Sequence, residues 1–84
     1  MLDTLKQLLR VVLNVSDNSM LRGRTKYNQL DRAIDAVVKY CSEADWSDDA
    51  EKTEATAMIQ RFQDAMGSGA WKLKKAAERV HANL

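Results

Sequence analysis

The chain has 84 residues, 45% of them hydrophobic and 30% charged, with three glycines, one cysteine and no proline. This composition excludes a disordered chain, and a single cysteine excludes a disulfide framework within one chain. With few helix breakers and no alternating strand-like runs, it predicts one all-α domain spanning residues 1–84.

The net charge of +1 hides an uneven distribution along the chain. Residues 1–42 carry seven Lys/Arg and four Asp/Glu, and residues 55–84 carry five and two, so each segment has a net charge of +3. Residues 43–54 carry one lysine and six acidic residues, a net charge of −5. Surface potentials follow such segments rather than the average, so we expect an acidic region and separate basic regions.

The N-terminal sequence has no features of a signal peptide, because Asp3, Lys6 and Arg10 interrupt its apolar residues. No apolar run approaches the roughly 20 residues that cross a bilayer. An amphipathic first helix lying on a membrane is disfavoured by its short, weakly basic polar face. The lone Cys41 fits a reducing compartment, so a cytoplasmic protein without a membrane partner is predicted.

The first helix is predicted to begin near Asp3 or Thr4, either of which can serve as an N-cap. Its apolar stripe consists of Leu5, Leu8, Leu9 and Val12. Residues 16–19, Ser-Asp-Asn-Ser, are typical of a turn. Residues 20–24 are ambiguous, because they can extend the second helix backwards from a Ser19 cap or form a loop that ends at a Thr25 cap. Gly23 favours a break near that position because glycine weakens a helix.

The second helix has the clearest pattern in the chain and is predicted to be central to the fold. Its apolar residues alternate three and four apart over about four turns; they are Tyr27, Leu30, Ile34, Val37 and Cys41. An isolated helix of this kind is only marginally stable in water, so its apolar stripe must pack against other helices.

Two further helices are predicted after the acidic segment. Ser47 or Asp48 can cap the third helix, Gly67 can end it, and Ser68 can cap the fourth. The stripe of the third helix is Ala55, Met58, Ile59, Phe62, Ala65 and Met66. That of the fourth is Leu73, Ala76, Ala77, Val80 and Leu84. The expected architecture is a small compact bundle of about four amphipathic helices.

No candidate catalytic or metal motif has the residue spacing that its chemistry requires. A calcium loop starting at Asp45 would place Ala50 where glycine is needed and Thr56 where glutamate is needed. The Glu78-x-x-His81 spacing occurs once, whereas a di-iron bundle needs two such pairs. Cys41 is expected to be buried and unreactive, and no phosphate-binding loop is present. We therefore expect a non-enzyme without metal or cofactor.

The candidate binding residues are basic, aromatic and acidic. One basic cluster surrounds the start of the second helix, and another covers the outer face of the fourth, beside Trp71. Trp46 lies within the acidic segment, and semi-exposed aromatics beside charge often anchor interfaces. The alternative is that Trp46 and Trp71 cap the ends of the core. The candidates are Arg22, Arg24, Lys26, Trp46, Asp48, Asp49, Trp71, Lys72, Lys75 and Arg79.

The favoured interpretation is a protein–protein interaction domain that acts as an adaptor, regulator or inhibitor of a larger complex, a build typical of small prokaryotic or phage regulators. The alternative is a nucleic-acid-associated protein that contacts the phosphate backbone through the basic clusters at 22–32 and 72–79. The acidic start of the third helix counts against that alternative. A third option is a homodimer, with Val11 and Tyr40 marking a self-association face.

Overall fold

The computed structural model describes residues 1–66 and 72–82, most of which lie in four α-helices. The helices are α1 (Leu2–Asp17), α2 (Gly23–Glu43), α3 (Asp49–Met66) and α4 (Leu73–Ala82). No β-strand occurs within these two ranges. The predicted all-α fold is confirmed.

The start of α1 differs from the prediction. Met1 occupies the N-cap position and makes no side-chain capping hydrogen bond, so neither Asp3 nor Thr4 is the cap. Asp3 lies in the first turn instead, where its charge complements the positive end of the helix dipole. Helix α1 ends at Asp17, and the Asn18 side chain then accepts a hydrogen bond from the Met20 amide at 2.9 Å.

Two local features explain where α2 and α3 begin. Gly23 starts α2 with a φ of +58°, a left-handed conformation that L side chains rarely adopt, so the predicted break near Gly23 is confirmed. Arg22 occupies the N-cap position, so neither Ser19 nor Thr25 is the cap. The Asp48 carboxylate accepts hydrogen bonds from the Ala50 and Glu51 amides at 2.8 and 3.3 Å, so it caps α3. The caps predicted at Gly67 and Ser68 lie outside the described residues.

The helices run alternately up and down. Tyr40 donates its hydroxyl hydrogen bond to the Met1 carbonyl oxygen at 3.1 Å, so α1 and α2 are antiparallel. The Thr56 Oγ1 lies 3.4 Å from His81 Nε2, which makes α3 and α4 antiparallel. Helix α2 packs against α1 and α4, and α3 packs against the same two helices. Helices α2 and α3 are therefore diagonal neighbours, and α2 lies parallel to α4.

The core consists largely of the predicted stripes. Its fully buried apolar members are Leu5, Leu9, Val12, Ile34, Val37, Cys41, Trp46, Ala55, Ile59, Leu73, Ala76 and Val80. The Lys52 side chain is 8% exposed, so its aliphatic stem packs along the bundle, a position that the stripe analysis did not predict. Leu84, predicted in the fourth stripe, lies outside the described residues.

Three predicted positions are wrong. Tyr27 was expected on the core stripe and is 63% exposed, because α2 extends at its first turns beyond the apolar core. Ala65, expected on the buried face of α3, is exposed near the end of that helix. Trp46 was expected either to be a semi-exposed anchor or to cap one end of the core; the anchor position is wrong, because the side chain is fully buried and its indole N–H donates to the Cys41 carbonyl oxygen at 2.9 Å.

Candidate interaction surface

The start of α4 lies beside the second and third turns of α2, toward one end of the bundle. The Lys72 ammonium, just before α4, donates a hydrogen bond to the Asp31 carboxylate of α2. The same ammonium lies 6.0 Å from the centre of the Tyr27 ring, within cation–π range. The two basic clusters, separated by about 40 residues in sequence, are thereby brought together.

We call this region the basic end. It is defined by Arg22, Arg24, Lys26, Lys72, Lys74 and Lys75. Arg22, Arg24, Lys74 and Lys75 are exposed, whereas Lys26 and Lys72 are half-buried.

Lys72 is the one member of the basic end that forms an ion pair within residues 1–66 and 72–82. Its hydrogen bond to Asp31 raises the pKa of Lys72 above the ordinary lysine value, although partial desolvation opposes the shift. Lys72 is therefore a fixed cation that joins α4 to α2. Asp17 and Asp64, in the last turns of α1 and α3, lie toward the same end and reduce its positive charge without matching six cations.

Two large apolar side chains are strongly exposed at the basic end. Met20, in the connection between α1 and α2, is 87% exposed, and Tyr27 in the second turn of α2 is 63% exposed. They are the two most exposed large hydrophobic residues in the described part of the chain. Exposed apolar side chains close in sequence to Arg22 and Arg24, which form no ion pair within the described residues, are a composition suited to binding a partner.

The backbone adds to the positive potential. Arg22 occupies the N-cap position of α2 and makes no side-chain capping hydrogen bond. The first amides of a helix have no partner within the helix, and the aligned peptide dipoles place partial positive charge there. Since α4 runs parallel to α2, the positive ends of both helix dipoles point toward the basic end.

The acidic segment lies at the opposite end of the bundle. It begins at Glu43, the last residue of α2, and continues through the first turns of α3. With 21 residues in α2, the two ends of that helix are about 30 Å apart at the usual rise per residue. Asp48 and Asp49 therefore do not share a surface with the basic end, and one oxygen of the Asp48 carboxylate caps α3.

The remaining sequence candidates divide into four groups. The structure brings Arg22, Arg24, Lys26, Lys72 and Lys75 together at the basic end. Arg79 is exposed in the last turn of α4, away from that end. Trp46 belongs to the core, where its ring meets Tyr40 edge-on at 6.5 Å between centroids. Trp71 lies outside the described residues.

Sequence reasoning missed two participants. Met20 was part of an ambiguous stretch, although its place beside the turn residues 16–19 could have indicated an exposed loop position. Asp31 was not recognised because its partner is 41 positions away in sequence. Only the packing of α4 on α2 brings those two residues together.

The structure also bears on the Cys41 thiol, on metal binding and on membrane spanning. Burial raises the pKa of the Cys41 thiol to about 11, so the thiolate is scarce near neutral pH. No group of three or more His, Cys, Asp or Glu side chains within the described ranges is arranged to hold a metal ion. No helix in those ranges is long and apolar enough to cross a membrane.

Comparison of the chain with protein-family models, with curated proteins and with solved structures finds no match. The class of molecule that the geometry defines is a small all-α bundle with six of its thirteen Lys/Arg residues toward one end.

Proposed function

We propose that the chain is a non-enzymatic protein-binding domain that uses the basic end to hold a larger partner, as an adaptor, regulator or inhibitor. One observation carries the proposal. The packing of α4 on α2 places two separate basic clusters at the same end as Met20 and Tyr27, the most exposed large apolar side chains described. Interfaces commonly combine aromatic, methionine and arginine side chains in this way.

Electrostatics supports recognition at one end rather than over the whole surface. The acidic segment lies about 30 Å away along α2, well beyond the Debye length of roughly 8 Å at physiological salt. It therefore does not neutralise the basic end. A partner with acidic surface would be steered toward this end and away from the opposite one.

The proposal includes a cytoplasmic setting. Cys41 is a free, fully buried thiol that packs with the core as a small apolar residue. It needs no oxidising compartment.

Affinity capture from cell lysate tests the function. The tagged chain should retain a single protein in near-equal amount after nuclease treatment and a moderate-salt wash, as read by mass spectrometry. The double variant Arg22→Gln/Arg24→Gln should lose most of that partner. The matched control, Arg10→Gln/Lys39→Gln, also removes two exposed cations, but from outside the basic end, and should retain it.

A second candidate function is contact with the phosphate backbone of DNA or RNA. The parallel N-termini of α2 and α4 favour it, because helix N-termini and nearby cations both attract phosphate. The residues involved would be Arg22, Arg24, Lys26, Lys72 and Lys75, whereas Arg79 lies at the other end of α4. Recovery that disappears with nuclease, and an affinity for nucleic acid that falls steeply with salt, would favour this candidate over protein binding.

A further inference from the structure

We infer that the partner presents an acidic chain segment carrying an apolar side chain, which packs on Met20 and Tyr27 while its carboxylates meet Arg22 and Arg24. This inference rests on the proposed protein-binding function and names the chemistry of the partner. We call the four residues the docking patch.

The charge of the docking patch is available to a ligand. Arg22 and Arg24 are exposed, and neither forms an ion pair with any residue in 1–66 or 72–82. An arginine guanidinium presents a rigid fork of donors that matches both oxygens of one carboxylate. Two such forks, flanking Gly23 at the start of α2, favour a segment with more than one acidic residue.

The charge of Lys72, in contrast, is already paired with the Asp31 carboxylate. Its ammonium is bonded to Asp31 and lies near the Tyr27 ring, so it orders the patch rather than serving as a first contact. Asp31 also helps to set the limit of the patch, because its carboxylate would repel an acidic segment that extended further along α2. The favoured contact is therefore with the connection at 18–22 and the first turns of α2.

The apolar part of the patch distinguishes a protein ligand from nucleic acid. A phosphate backbone has nothing to pack against Met20, and burying that side chain under it would gain little. A methionine thioether adapts to apolar side chains of different shape, and a tyrosine ring offers a rigid apolar face. Their exposure of 87% and 63% leaves most of that surface available for burial by a partner.

Three probes of equal negative charge separate the alternatives when the intact chain is titrated by fluorescence anisotropy. The first is a labelled peptide of alternating Glu and Leu, and the second replaces each Leu with Ser. The third is a single-stranded oligonucleotide. At moderate salt we expect the Glu/Leu peptide to bind about tenfold more tightly than the Glu/Ser peptide, because only the former buries Met20 and Tyr27.

Matched variants locate the contact. Met20→Ser should weaken the Glu/Leu peptide about fivefold and leave the Glu/Ser peptide unchanged. Val11→Ser is its control, since Val11 is another exposed apolar residue, at 50%, but lies on α1. Arg22→Gln/Arg24→Gln should weaken both peptides about tenfold, whereas Arg10→Gln/Lys39→Gln should change each less than about twofold. Circular dichroism confirms that each variant is folded.

Each contrary result has a definite meaning. Equal binding of the two peptides overturns the apolar anchor, and tightest binding of the oligonucleotide overturns the protein ligand in favour of phosphate. Failure of every probe to bind overturns the inference. If lysate capture still yields a partner that is insensitive to Arg22→Gln/Arg24→Gln, the protein-binding function stands while the docking patch is wrong.

Discussion

Lys72 donates a hydrogen bond to Asp31 from 41 positions further along the chain, and this contact joins the start of α4 to α2. The pair does two things at once. It holds the two basic clusters in one surface, and it neutralises one cation within that surface. Because both side chains are partly open to solvent, the geometric effect is expected to exceed the effect on stability.

Asp31→Asn tests that relationship. The change should lower the melting temperature only slightly, and by less as salt is added, because exposed ion pairs contribute little and are screened. It should also strengthen the binding of acidic peptides, since a negative charge beside the docking patch is removed. Glu43→Gln, which removes an exposed negative charge at the opposite end of α2, is the control. A severe loss of stability in Asp31→Asn alone would show that the pair holds the fold together.

Ile34→Asp should unfold the domain. Ile34 is 2% exposed at the centre of α2, and a carboxylate there would lose its hydration without gaining a partner. The total stability of a domain of this size is about 4–12 kcal/mol, so a cost of several kcal/mol is decisive. Circular dichroism should show the loss of helix at room temperature. Ala36→Asp, at an exposed position on the same helix, should keep a cooperative melt.

Trp46→Ala should destabilise the fold by about 3–5 kcal/mol, the usual cost of removing a buried aromatic side chain. Trp46 is fully buried, and its indole N–H satisfies the Cys41 carbonyl oxygen near the end of α2. Denaturant titration measures the loss. Trp46→Phe should cost less, because most of the packing remains while the hydrogen bond is lost. Near-native stability of Trp46→Ala would mean that the residue is not part of the core.

The Cys41 thiol should make stability depend on alkaline pH. Burial raises the pKa of Cys41 from 9.0 to about 11, so the folded chain keeps a proton that the unfolded chain releases first. The contribution is fully present below pH 9 and is lost as pH rises toward 11, by up to about 1.4 kcal/mol per pH unit.

The measurement is the difference in stability between the wild-type chain and Cys41→Ala, which isolates the contribution of the thiol. Only the wild-type chain contains the thiol, so only its stability should fall through ionisation of Cys41. The denaturant midpoints of the wild-type chain and Cys41→Ala should therefore converge or cross as pH rises from 9 to 11. Parallel curves would contradict the assigned pKa.

Alkylation of Cys41 in the folded chain at pH 8 should be slow, because the thiolate is the reactive form and burial disfavours it. Alkylation should accelerate in denaturant, because unfolding exposes the thiol.

The sequence by itself determined the number of helices and most of the core. Apolar residues three and four apart, as from Leu30 to Cys41, permit a buried face only in a helix, and this constraint is local. The break at Gly23 and the cap at Asp48 are local as well, since each depends on one residue's backbone freedom or side-chain oxygen. Charge segregation was also visible in the sequence, but only as segments along the chain.

Tertiary structure alone decided which side chains share a surface. Trp46, a candidate interface anchor, is buried, and Tyr27, predicted in the core, is exposed. Burial depends on what packs opposite a residue, and the pattern along one helix does not contain that information. The hydrogen bond between Lys72 and Asp31 forms because α4 packs parallel to α2. Packing of the whole core determines that helix arrangement. The basic end, and the function proposed for it, follow from that choice.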